Sequence, residues 1–196
     1  MPSRRHGSQT RERILDAASQ AFRETGFAAT GIDAVMARAG LTHGGFYAHF
    51  ASKADLLQAT IKATPENLAR NQVFAQVAQL RGCELLTASI DTYLSRWHRD
   101  HPEHGCSLPT LGAELPRLGA GLKDSMAQPV RGLAAILAEH FPPPRETARE
   151  RAQAFVALLV GGIVTARALP DDQADDWLAS CRRAATVMIH VATEPQ

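Results

Sequence analysis

The 196-residue chain lacks several things a sequence can use to announce a class, and each absence excludes something. Cysteine is scarce: Cys83, Cys106 and Cys181 are three, an odd number at wide spacing. That count excludes a disulfide framework and makes a reducing cytoplasm the expected compartment. No apolar run follows the polar start Met1–Gly7, so no secretory signal is expected. The longest uncharged stretch, Ala152–Ala166, has 15 residues. A spanning helix needs roughly 20, so a buried helix of a soluble protein is the expectation. Glycine (14) and proline (11) follow no period, which excludes collagen-like and low-complexity chains. Alternating β-branched runs are missing, so the fold is expected to be all-α. Neither charge sign dominates, and the net +1 speaks at first against a nucleic-acid partner.

What is present is helical periodicity punctuated by caps. Ile14, Leu15, Ala18, Ala21 and Phe22 make one apolar stripe over Ser8–Glu24, stopped by Gly26. Thr30 reads as an N-cap with Asp33 as its capping-box partner, opening a short helix with Ile32, Val35 and Ala39 inside. Gly40 stops it, and Thr42 caps a third short helix carrying Phe46, Tyr47 and Phe50. Ser52 with Asp55 caps a fourth, containing Leu56, Leu57 and Ile61. Longer helices are expected at 66–80, 83–99, 118–141, 145–169 and 173–192, with a short piece near 107–114.

Two short helices joined through Gly40-Leu41 have the layout of a helix-turn-helix. Gly44 and Gly45 are adjacent within the second, at roughly 0.5–1 kcal/mol each relative to Ala. A helix that presses its backbone against another molecule would tolerate that pair. Phe46 and Phe50 share one face and leave His43, Tyr47 and Thr42 to point outward.

The stretch TGIDAVMARAGLTHGGFYAHFASKADLL, with Gly26-Phe27 before it, resembles the DNA-binding domain of the tetracycline-repressor (TetR) family of bacterial transcriptional regulators. The likeness covers roughly Arg11–Ile61 and about a dozen positions. It implies three N-terminal helices for DNA (residues 1–62) and a larger helical domain for ligand and dimerisation (63–196). It implies a homodimer on a palindromic double-stranded operator, most often a repressor released by a small-molecule or reactive effector. Thr30 and Thr42 are expected at phosphates, Tyr47 and Lys53 resemble the family's phosphate-contacting tyrosine and lysine, His43 is the candidate base reader, and His49 a second phosphate candidate. Gly44 matches the family pattern, while Gly45 replaces a small hydroxyl residue and leaves readout to fewer side chains. Arg4, Arg5, Arg11 and Arg13 are read as a basic arm.

Beyond residue 63 the chain is less explicit. The apolar helices at 145–169 and 173–192, with Gly161-Gly162 permitting close approach, suit either a dimer interface or an internal core pair; the resemblance favours the dimer. Phe74, Tyr93, Trp97, Cys106, Leu108, Leu111, Met126 and Phe155 are candidate pocket residues or plain core. His98, His101, His104 and Cys106 lie within nine positions but meet no metal-ligand signature, and no cofactor is called for. A metal-dependent enzyme and a pure interaction module are the rival readings, although no phosphate loop, G-x-S-x-G or H-E-x-x-H occurs. Cys106 is either a quiet thiol or a sensor of reactive compounds, and Cys83 and Cys181 are expected to be inert on apolar faces. The charge is divided: residues 1–62 hold eight basic and five acidic residues, so a basic head is balanced by an acidic body.

Overall fold

The computed structural model describes residues 3–63 and 75–190, and among these it is all-α, without a strand. The helices are α1 (Ser3–Thr25), α2 (Ile32–Arg38), α3 (Lys53–Lys62), α4 (Gly82–Tyr93), α5 (Arg96–Asp100), α6 (Leu108–Leu111), α7 (Ala120–Ala138), α8 (Ala148–Arg167) and α9 (Asp171–His190). Short 3-10 turns lie between them. Two compact units form: residues 1–65 with 102–126, and residues 66–101 with 127–196.

In the first unit α1 buries Ile14, Ala18 and Phe22 completely. It packs against α2 and α3, whose Val35, Met36, Leu56, Leu57 and Ile61 are also buried. Both helix stops are glycines in the left-handed region, Gly26 at φ +84° and Gly40 at φ +66°. The Gly40 N–H bonds the Ala37 carbonyl and the Leu41 N–H the Met36 carbonyl, each at 2.9 Å, which turns the chain tightly out of α2. The Ser52–Asp55 box forms as expected: Ser52 Oγ accepts from the Asp55 N–H at 3.1 Å, and Asp55 Oδ2 accepts from Ala51 N–H at 3.1 Å.

The first unit is larger than the 1–62 segment expected, because 102–126 folds onto the end of α1. Thr110 Oγ1 donates to the Arg23 carbonyl (2.8 Å) and Arg23 Nε to the Glu103 carbonyl (2.9 Å). Glu114 Oε2 accepts from the Ala28 N–H at 3.0 Å, and Gln58 Nε2 meets Ser125 Oγ at 3.0 Å. These bonds join residues 67 to 87 positions apart, so no local pattern in the sequence announces them.

In the second unit α8 and α9 pack along each other, with Ala152, Phe155, Ile163, Ala185 and Ile189 fully buried. A Cβ on Gly162 would meet Leu94 Cδ2 at 2.9 Å and Cys181 Sγ at 3.2 Å, so this glycine sets the close approach, while Gly161 is exposed. Arg151, nearly buried, donates to the Pro142, Met188 and Ile189 carbonyls at 2.8, 3.1 and 3.2 Å and lies over the Phe141 ring. It thereby satisfies carbonyls at the C-terminal end of α9. The helix expected over 83–99 breaks instead at Leu94, because Ser95 caps a new helix by accepting from the His98 N–H at 3.1 Å. Among the described residues no helix is long and apolar enough to cross a membrane.

Gly162→Ala is expected to lower stability by about 1–2 kcal/mol, since the new methyl overpacks a filled contact. Chemical denaturation of the variant against the parent chain measures it; an unchanged midpoint would contradict the close-approach role.

Candidate nucleic-acid interface

The segment after Gly40 is a 3-10 helix, His43–Ala48, rather than the α-turns the spacing suggested. Its anchor is aromatic. Phe46 is fully buried and Phe50 is 2% exposed, with ring centroids 5.9 Å apart. Burying each contributes about 2–3 kcal/mol. With these rings held inside, the opposite side faces out: Tyr47 is 61% exposed, and Thr42, His43 and Gly44 are exposed too. Thr42 caps the segment with its backbone and makes no side-chain cap bond. His49 is half-buried at the far end.

Neither glycine of the pair is needed by the fold. Neither has a positive φ, nothing lies within 4 Å of a Cβ placed on Gly44, and one on Gly45 would meet only Met36 Cε at an ordinary 3.7 Å. The segment therefore presents bare backbone outward without an internal reason for it.

Several candidate residues stand elsewhere than expected. Thr30 is not the cap of α2; Gly31 is. Thr30 is 3% exposed, and its Oγ1 donates to the Gly26 carbonyl at 2.6 Å and lies 2.8 Å from Thr25 Oγ1. It ties the loop to the end of α1, and burial removes it from the outer face. Asp33, expected to pair with Thr30, instead bonds Nδ1 of His43 through Oδ1. The basic arm is not an arm: residues 3–25 form one helix. Arg13 Nη2 donates to the Ala39 carbonyl at 2.6 Å, and the Arg11 guanidinium stacks 4.8 Å from the Phe50 ring centre. Both cations thus hold α1 onto the helix-turn-helix. Lys53 opens α3 with its ammonium 4.3 Å from the Phe27 ring centre and 3.4 Å from the Ala28 carbonyl. Partial burial there pulls its pKa below the ordinary lysine value, opposed by the nearby Glu114 carboxylate.

The expected pocket residues divide between the units. Tyr93 and Phe155 are buried in the second, where Trp97 is 40% exposed and stacks on His101 with centroids 4.8 Å apart. Cys106, Leu111 and Met126 are buried in the first, with Leu108 half-buried, and Phe74 lies outside the described residues. An open groove that the sequence reading missed is lined by Gln128, Arg131, Gly132, Ala135, Ala138 and Arg149.

The histidines expected in one exposed turn also separate. His98 is fully buried in the second unit, its Nδ1 2.6 Å from the Tyr93 carbonyl. Burial lowers its pKa to about 4, so the imidazole there is neutral. His104 is exposed in the first unit. Among the described residues no three His, Cys, Asp or Glu side chains gather as metal ligands. Of the thiols, Cys106 is buried, Cys181 is half-buried with its pKa raised by desolvation, and Cys83 is exposed rather than on an apolar face.

Known proteins share this arrangement. The profile described as "Bacterial regulatory proteins, tetR family" matches residues 14–60. The HTH-type transcriptional regulator TtgR of Pseudomonas putida is 33% identical over 84 residues, 41% of this chain and 40% of that protein. The probable HTH-type transcriptional regulator ArpR of Pseudomonas putida is 37% identical over 71 residues, 35% of this chain and 34% of that protein. The chain thus spans two-fifths or less of these relatives' lengths. A TetR transcriptional regulator from Chloroflexus aurantiacus superposes with TM-score 0.75 at 23% identity over 94% of this chain and 96% of that one. Reduced NemR of E. coli superposes with TM-score 0.74 at 20% identity over 95% and 100%. These likenesses extend the shared fold across almost the whole chain.

Thr30→Val is expected to cost about 1–2 kcal/mol, because a buried carbonyl loses its hydroxyl donor. Thermal unfolding checks this; a variant as stable as the parent would contradict the internal role.

Proposed function

The chain belongs to the tetR family of bacterial regulatory proteins, and from that premise we propose that it is a sequence-specific, double-stranded-DNA-binding transcriptional regulator, acting as a repressor. The observation that carries this reading is the segment Thr42–Tyr47: exposed polar and aromatic side chains and bare glycine backbone, seated on buried Phe46 and Phe50. Such a surface suits a major groove, with His43 toward base edges and Tyr47, Thr42, His49 and Lys53 toward phosphates. The excess of basic residues in 1–62 supplies attraction to the duplex without specifying sequence.

The regulator works as a homodimer. On α8, Ala154, Ala157, Gly161 and Val164 form an exposed, uncharged stripe, and on α9 Trp177, Ser180, Ala184 and Val187 form another. Small and apolar exposed faces of this kind favour an isologous helix pairing. Two copies would set two reading segments about one DNA turn apart, roughly 34 Å, on a palindromic operator in the cytoplasm. An effector, either a small molecule or a reactive compound, would release the operator. The bonds from 102–126 onto Arg23 and Ala28 are the physical route by which a change in that segment reaches α1. Cys106, buried in the same segment near the Arg23 guanidinium, is where a reactive compound would act. The relatives' printed roles as regulators favour this over an enzyme.

Gly44→Ala separates function from fold. It should leave stability unchanged or raise it by up to about 1 kcal/mol, because the site is open and its φ is ordinary. Binding to duplexes enriched from a random library should fall at least about tenfold, as a methyl intrudes where backbone meets DNA. Tight binding by the variant, or no enrichment of any palindrome by the parent chain, would contradict the proposal. Ala157→Arg should turn a dimer into a monomer in sedimentation velocity; a parent chain that sediments as a monomer would contradict the pairing.

A further inference from the structure

We propose that Asp33 is a specificity-determining positioning residue: by holding Nδ1 of His43 it makes Nε2 the acceptor with which the protein selects adenine or cytosine at one position of each half-site. The inference rests on the reading above, that the His43–Ala48 segment faces the major groove.

Asp33 lies in the first turn of α2 and His43 is the first residue of the 3-10 helix, so the intervening turn brings together residues ten positions apart. A carboxylate only accepts, so the bond between Asp33 Oδ1 and His43 Nδ1 requires the proton on Nδ1. A neutral imidazole carries one N–H, and Nε2 is then left with its lone pair. The Tyr47 ring lies beside the imidazole, with centroids 6.1 Å apart. The pair faces outward, with the side chains of His43 and Asp33 49% and 83% exposed.

Exposure decides between two purposes for the pair. An exposed ion pair adds little to stability. A negative charge on a face turned to phosphates also weakens attraction to DNA. Fixing the donor and acceptor ends of a reading side chain accounts for the carboxylate on this face. In the major groove, an acceptor matches the N6 amino group of adenine or the N4 amino group of cytosine; guanine O6 and N7 and thymine O4 offer it no donor.

The test uses the full-length chain and duplexes selected from a random double-stranded library. One position of each half-site is then varied through all four bases, and binding is measured at pH 8, where imidazole is ordinarily neutral. The parent chain is expected to prefer adenine or cytosine over guanine or thymine at one position by about tenfold, one well-placed hydrogen bond. Asp33→Ala and His43→Ala should each flatten that preference to under about threefold, and the double variant should flatten it no further. Asp33→Ser, which keeps a residue suited to a helix start, should behave as Asp33→Ala and guards against a folding defect. Binding to unselected duplex should persist in every variant. If Asp33→Ala raises affinity for all four duplexes alike and keeps the preference, Asp33 is only a repelling charge and the inference fails. If His43→Ala flattens the preference and the Asp33 variants do not, it fails as well. If the parent chain binds no duplex, the functional reading falls, and this inference with it.

Discussion

The burial of Phe46 and Phe50 is the constraint on which the reading segment depends. Two rings four positions apart, both almost wholly removed from water, fix the rotation of a short 3-10 turn. With that rotation fixed, Tyr47 and His43 have nowhere to point but outward. Arg11 stacked on Phe50 and Arg13 bonded to the Ala39 carbonyl then lock the turn to α1. Cations that would suit a phosphate are used here as internal ties, and the exposed face is left to polar side chains and glycine backbone.

The same helix, α1, is gripped at its C-terminal end by a distant piece of chain. Thr110, Glu103 and Glu114 bond the residues around Gly26, where the left-handed turn makes the backbone groups accessible. A Cβ on Gly26 would collide with Glu114 Oε1, so this glycine serves both the turn and the contact. Under the proposed function, an exposed face tied to the middle of α1 and a remote segment tied to its C-terminal end give a mechanical basis for regulation. It requires only that the segment 102–126 have two arrangements that differ in how they hold α1.

Local rules in the sequence described local structure well. Gly26 and Gly40 end their helices in the left-handed region, Ser52 and Asp55 form their box, and the Phe46/Phe50 face is the buried one. Each of these depends on residues within a few positions of one another. What was not legible depends on reach across the chain. Thr30 looks like a cap by its neighbours, but its hydroxyl turns back to Gly26. Asp33 looks like a capping partner, but its carboxylate finds a histidine ten positions on. Arg13 looks like a surface cation, but its guanidinium reaches a carbonyl 26 positions away. The attachment of 102–126 to the first unit had no local signal at all. Ser95, a cap in the middle of an otherwise helical pattern, is a break with a readable sign.

Hydrogen–deuterium exchange on the full-length chain, with and without a duplex enriched from a random library, tests the central claim most directly. Slowed exchange is expected over Thr42–His49, with any further protection confined to the neighbouring start of α3 and the 102–126 segment bonded to α1. Protection centred instead on the groove between Gln128 and Arg149, with Thr42–His49 unchanged, would contradict it.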